Sequence, residues 1–280
     1  MNHASIASIA PSHPLRERAT ANSRTVLALA ALVAAAASFG TPLAAQTKQG
    51  NAPASTPASG SGDAIIVKME QIMFPDTKTV MRLESLFDGK KETYEMTSFT
   101  RDNNQKVIVR FSAPASMISS DLLMLDRNVW LYDPKSAREM KIPSNQSFGG
   151  TGFSYGDVLR LNYSDNYSAA VLAETETSWT LDLSSKQRDA PYHRIVLEVS
   201  RAWHPVSGKC YSRSGELVKE MHWSKTADAG GGVKPLVVTV TSPLDPKDRS
   251  VLTIVSETLK TYPPNIFNKK NLSARMEAHY

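Results

Sequence analysis

Few residues of this chain are arranged to do chemistry. Gly152-Phe153-Ser154-Tyr155-Gly156 fits the G-x-S-x-G spacing that presents a serine nucleophile on a strained turn. That turn must join a parallel strand to a long helix, whereas the surrounding sequence reads as antiparallel β with a Gly-rich loop ahead of it. The glycines are therefore read as permitting a tight turn, and a Ser154 hydrolase is kept only as an alternative. His193, His204 and His222 stand in the folded part, but no H-E-x-x-H or Cys/His ligand spacing accompanies them. The pairs Glu174/Glu176 and Asp245/Asp248 lie in polar connectors, where solvated charge is the ordinary reading. Gly230-Gly231-Gly232 has no following Lys-Ser/Thr to cradle a phosphate and reads as a hairpin tip. We therefore expect no catalytic residue, no metal, no cofactor and no enzyme activity.

What the chain offers instead is apolar surface. Its ten Met, four Trp, nine Tyr and eight Phe exceed what any catalytic motif would explain. Met69, Met73, Met81, Met96, Met117, Met124, Met140 and Met221 all fall in the folded part, and flexible thioethers suit a cavity that accepts variable acyl chains.

The elements that must position these side chains follow from period and turn chemistry. Residues 63–74 (DAIIVKMEQIMF) place Ile65, Ile66, Met69, Ile72 and Met73 at helical spacing, with Asp63 as cap and Pro75 as stop. Beyond them, alternation dominates. Residues 79–87 and 92–99 flank Asp88-Gly89, a two-residue hairpin turn, and Asn103-Asn104 turns the chain into 106–111. Further strands are expected at 121–125, 129–132, 137–142, 178–183, 192–200, 209–213, 216–223, 236–241 and 250–258. These twelve candidates with short connectors imply one antiparallel meander. Between 147 and 172 the rhythm breaks, and 153–163 is expected to hold a short helix opening near Ser154, with Asp157 in its first turn.

The chain's N-terminal part reads differently. Arg16, Arg18 and Arg24 precede the 14-residue apolar run 26–39 (VLALAALVAAAASF), followed by Gly40, Pro42, Ala44 and Ala45. Such a run is shorter than the roughly 20 residues a membrane span needs, so 1–45 reads as a signal peptide and the domain as exported to the periplasm. Residues 46–62 (QTKQGNAPASTPASGSG) have no large apolar side chain and read as a flexible linker, leaving 63–280 as the folded domain. The one cysteine, Cys210, forbids an intrachain disulfide, so apolar burial must supply the stability. A formal charge of +5, with acidic and basic residues interleaved, shows no basic block of the kind nucleic-acid binding requires.

Residues 109–161 carry a more specific signal: Arg110-Phe111 with Ala113-Pro114, Leu122-Leu123-Met124-Leu125, Trp130-Leu131-Tyr132-Asp133-Pro134, Arg138 through Ile142, and Phe153-Ser154-Tyr155-Gly156-Asp157. This stretch resembles the outer-membrane lipoprotein-sorting proteins of the LolA-like superfamily, in the branch associated with MMPL/RND-type exporters. The resemblance extends through Pro191-Tyr192, 211–219 and 249–271. Where the family pattern has an acidic residue before the F-S-Y element, this chain has Gly152. The resemblance implies a mainly β (α+β) fold: a strongly bent antiparallel sheet of about 11 strands, an incomplete barrel plugged by short helices around an apolar cavity.

The implied role is carriage of lipid or lipoprotein acyl chains between membranes, with an inner-membrane RND/MMPL-type transporter as a partner. The alternative is a periplasmic sensor or regulatory interaction module on the same fold. Each buried CH₂ contributes roughly 0.8 kcal/mol, so a cavity of this kind needs few polar contacts. In this fold the lining is distributed rather than carried by a motif. The expected lining is Ile66, Met69 and Met73 on the first helix, Met81, Leu83 and Phe87 on the first strand, and Val109, Phe111, Leu123, Met124, Trp130, Phe153 and Trp179.

Overall fold

The structure is a computed structural model that describes residues 59–280; the expected signal peptide and the linker up to residue 58 lie outside the described residues. The first helix, α1 (Ser59–Met73), begins four residues before the expected domain start. Asp63 is thus inside the helix and not its cap. Its carboxylate instead accepts the backbone N–H of Ala169 at 2.7 Å, on an edge strand of the sheet. Gly62 makes that approach possible, because a Cβ there would stand 2.3 Å from the Ala169 carbonyl oxygen.

Thirteen strands follow: β1 (Thr77–Phe87), β2 (Lys90–Arg101), β3 (Lys106–Ala113), β4 (Leu122–Leu125), β5 (Asn128–Asp133), β6 (Arg138–Ile142), β7 (Tyr167–Glu174), β8 (Ser178–Ser185), β9 (Arg194–Ser200), β10 (Pro205–Tyr211), β11 (Leu217–Asp228), β12 (Val233–Thr241) and β13 (Arg249–Leu259). Interspersed are the one-turn helices α2 (Tyr155–Val158) and α3 (Tyr163–Asn166), and near the end α4 (Lys269–Ala274). The twelve expected strands are all present, with Asp88-Gly89 turning at φ 51° and 70°. The extra one is β7. Its sequence YSAAVLAE is rich in helix formers and has one β-branched residue, Val171, so only pairing with β8 and cover by α1 make it a strand.

All thirteen form one antiparallel sheet in the order β6-β5-β4-β3-β2-β1-β13-β12-β11-β10-β9-β8-β7. The chain starts mid-sheet, meanders to one edge, crosses to the other edge through residues 143–166, and meanders back until β13 pairs β1. The sheet is not closed into a barrel, and the crossing segment, bearing α2 and α3, plugs the gap. Alternation sorts side chains onto two faces. Met81, Leu83, Met96, Val109, Phe111, Met124 and Leu252 join α1 and the plug in the main core. On the opposite face of β2–β5, Phe99, Ile108 and Leu123 meet Tyr262, Ile266, Phe267 and Leu272 of the C-terminal segment. Arg110 secures that segment with four hydrogen bonds, to both carboxylate oxygens of Glu277 and to the carbonyls of Asn271 and Leu272, and makes a fifth to Asp121 beside β4.

Candidate apolar cavity

An apolar cavity lies between the concave sheet, α1 and the plug. The sheet contributes Met81 from β1, Met221 and Trp223 from β11, Leu236 and Val238 from β12, and Leu252 and Ile254 from β13; α1 contributes Met69 and Met73, and the plug Phe153, Leu161 and Tyr163. It is narrow, with a volume of about 80 Å³. Sites that enclose a small-molecule ligand hold roughly 300–1,000 Å³.

Of the residues expected to line it, Met69, Met73, Met81 and Phe153 do so. Ile66, Leu83, Val109, Phe111 and Met124 sit in the main core but away from the open space. The half of the concave face formed by β2 and β3 is filled by an aromatic cluster, in which Phe148 of the plug stacks on Phe111 at 5.7 Å and meets Tyr94 at 4.8 Å and Tyr155 at 5.4 Å. Phe87 lines a separate, more polar pocket beside Ser154. Trp179 is half-buried against Trp203 under the Arg201 guanidinium. Leu123 and Trp130 face the opposite side of the sheet with the C-terminal segment. Adjacent strand residues point to opposite faces, so Leu123 and Met124 cannot both line one cavity. Missing from the expectation were the β11–β13 residues, although the alternation in 236–241 and 250–258 was the signal that could have found them.

Polar contacts bolt the plug to its surroundings. Asn104, buried in the β2–β3 turn, donates its amide to the carbonyls of Leu159 (3.0 Å) and Arg160 (2.7 Å). Asn162 donates to the Asn103 carbonyl, and Gln105 to Asp165. On α1, buried Glu70 accepts the N–H and hydroxyl of Ser164. Burial pushes the Glu70 carboxyl from 4.5 up to about 7, against the pull of those hydrogen bonds. On the far side Asp157 accepts from Lys219 at 2.8 Å and from the Tyr192 hydroxyl at 2.6 Å. Burial alone would raise the Asp157 carboxyl, but the Lys219 ammonium outweighs it and holds it below the usual carboxylate range.

Ser154 caps α2: its hydroxyl accepts the Asp157 N–H, and Asp157 returns a bond to the Ser154 N–H, a capping box. His193 lines the same polar pocket, but its ring pairs with Ser185. Ser154 is thus followed by a four-residue helix in an antiparallel setting, and the geometry serves helix capping. Beneath the Gly230–Gly232 tip lies a buried ion pair, Lys234 with Glu257, and Glu257 also accepts from Thr79 at 3.0 Å. The tip is not loose. Asp228 accepts the N–H groups of Gly230 and Gly232, and Gly230 lies so close to the Glu257 carbonyl that a Cβ would stand 1.9 Å from it.

A family model described as an uncharacterized protein matches residues 103–274, more than half of the chain. No curated protein matches the sequence. Among solved structures, the chain is similar to a LolA superfamily protein from Nitrosomonas europaea (23% identity, covering 75% of this chain and 98% of that one, TM-score 0.67). It is similar too to an outer-membrane lipoprotein-sorting protein domain from Vibrio parahaemolyticus (18%, 76% and 99%, 0.66) and to a DUF1329 family protein from Desulfovibrio piger (18%, 78% and 100%, 0.67).

Proposed function

Since the chain belongs to the family whose model spans residues 103–274 and has the fold of the LolA superfamily, we propose that it is an exported, periplasmic carrier of lipid or lipoprotein acyl chains. The observation that carries this reading is the apolar space between α1, the plug and β11–β13, lined by methionines, aliphatics and aromatics. Water would reject an acyl chain that such walls accept without directional contacts. Because the space is narrow, cargo enters by spreading α1 and the plug from the sheet, and the plug-to-sheet contacts of Asn104 and Asp157 are where it opens. Among the described residues no helix is long and apolar enough to cross a membrane. Handover to an inner-membrane RND/MMPL-type transporter would follow from such a role.

Native mass spectrometry and lipid extraction of the protein, expressed as the full chain and purified from the periplasm without detergent, test the reading. Acyl lipid should co-purify, and Val238→Trp, which projects an indole into the cavity, should expel it while the circular dichroism spectrum stays unchanged. A protein that is empty and takes up no added lipid or lipopeptide overturns the carrier reading in favour of a protein-binding module.

A further inference from the structure

The cavity is mostly apolar, and its charged lining residues are Asp157, which is paired with Lys219, and Arg160. Arg160 is the cation among its lining residues, with its guanidinium 5.3 Å from the Phe74 ring centroid. Among the described residues the three buried cations are well partnered, whereas the half-buried Arg127 and Arg160 each have an Nη1 without a hydrogen-bond partner. Arg110 makes five hydrogen bonds, Lys219 reaches the Gly152 carbonyl and Asp157, and Lys234 reaches Glu257 and the Met73 carbonyl. Arg160, by contrast, donates no side-chain hydrogen bond and has no carboxylate within ion-pair distance among the described residues, although its Nη1 is buried. Glu257, whose field reaches Arg160, is engaged by Lys234 and Thr79, so Arg160 holds no carboxylate of its own. A guanidinium nitrogen buried without a hydrogen-bond partner is costly, and burial lowers the affinity of Arg160 for its proton accordingly.

The backbone adds to the case. Arg160 follows the C-terminus of α2 with φ of 54°, a left-handed position where glycine is favoured, and Asn104 clamps its carbonyl there. An arginine held at a glycine position, aimed at an apolar cavity and without a partner, points to a ligand that brings the missing charge.

We propose that Arg160 is the head-group site of the cavity, and that the cargo is an amphiphile with an anionic carboxylate or phosphate head whose acyl chain runs along Met69, Met73, Met81 and Leu252. This rests on the acyl-chain reading and narrows it to one charge class. The planar guanidinium fork suits two anionic oxygens at once.

Calorimetric titration of the protein with dodecanoate, dodecyl phosphate, uncharged dodecanol and inorganic phosphate tests the assignment. The two anionic amphiphiles should bind at least ~10-fold tighter than dodecanol, since charge-assisted hydrogen bonds in a dry site are strong. Arg160→Gly, which suits the left-handed backbone and should fold, should remove that preference and leave dodecanol binding unchanged. Equal affinity for dodecanoate and dodecanol in the unaltered protein, or a preference that survives Arg160→Gly, overturns the anion site while leaving the acyl cavity standing. Inorganic phosphate binding as tightly as dodecyl phosphate would make Arg160 a free-anion site and overturn it too. Binding of none of the amphiphiles overturns the acyl cavity itself.

Discussion

At the scale of single residues, the buried polar groups are the most consequential. Glu70 joins α1 to the plug through Ser164, and its folded-state carboxyl lies at about 7 against 4.5. Between those two pH values the folded protein holds a proton that the unfolded chain has lost. Stability therefore falls as pH rises through that window, by roughly 3 kcal/mol if Glu70 acts alone. Glu70→Gln keeps an acceptor for the Ser164 N–H and carries no charge. Thermal melts should show the variant flatter than the unaltered protein from pH 5 to 8 and more stable at pH 8; parallel profiles would refute the assignment. Lys234→Met leaves Glu257 buried beneath Gly230 without its cation, and urea denaturation should show a loss of ~3–5 kcal/mol. Adding Glu257→Gln should recover part of it. Neither group could be singled out in the sequence, because Glu70 and Ser164 are 94 positions apart and read locally as surface residues.

At the scale of elements, hairpins are local objects and the sequence specifies them well. Asp88-Gly89 fixes the β1–β2 register, and the alternation in β1 sends Met81 and Leu83 to one face without outside help. Helix α1 is different: its apolar stripe was legible, but its start and its docking on β7 were not, since these depend on Gly62 meeting the Ala169 carbonyl and on Asp63 capping an edge N–H. Gly62→Val should clash there and cost about 1–3 kcal/mol in the docking of α1. Hydrogen exchange would register this as faster exchange across α1 and β7 with β1–β3 unchanged; uniform acceleration everywhere would mean instead that α1 does not move independently of the sheet. The strand β7 was missed for the same physical reason, because an edge strand rich in alanine owes its conformation to its neighbours.

At the scale of the whole molecule, the sheet begins and ends its meanders at the β1–β13 seam and leaves its open edges to the plug. If cargo enters by movement of α1 and the plug, the sheet stays intact. Cys210 on β10 is fully buried, and burial raises its thiol well above the usual range, so it is a reporter of sheet opening. It should remain unreactive to a maleimide in the empty protein and when dodecanoate is added, and react on unfolding in urea. Labelling that accelerates with dodecanoate would show that cargo parts the strands instead.

By itself, the sequence determined twelve strands, their turns, the amphipathic first helix and the helical break near Ser154, because period-two burial, turn chemistry and capping act within a few residues of each other. It also carried the resemblance that matches the observed fold. Only the tertiary structure decided which part of the concave face stays open, because that depends on where residues 143–166 lie after crossing between edges. The same crossing brought Phe148 onto Phe111, filling one half of the face, and carried Arg160 to the wall of the other, where its Nη1 is buried without a hydrogen-bond partner.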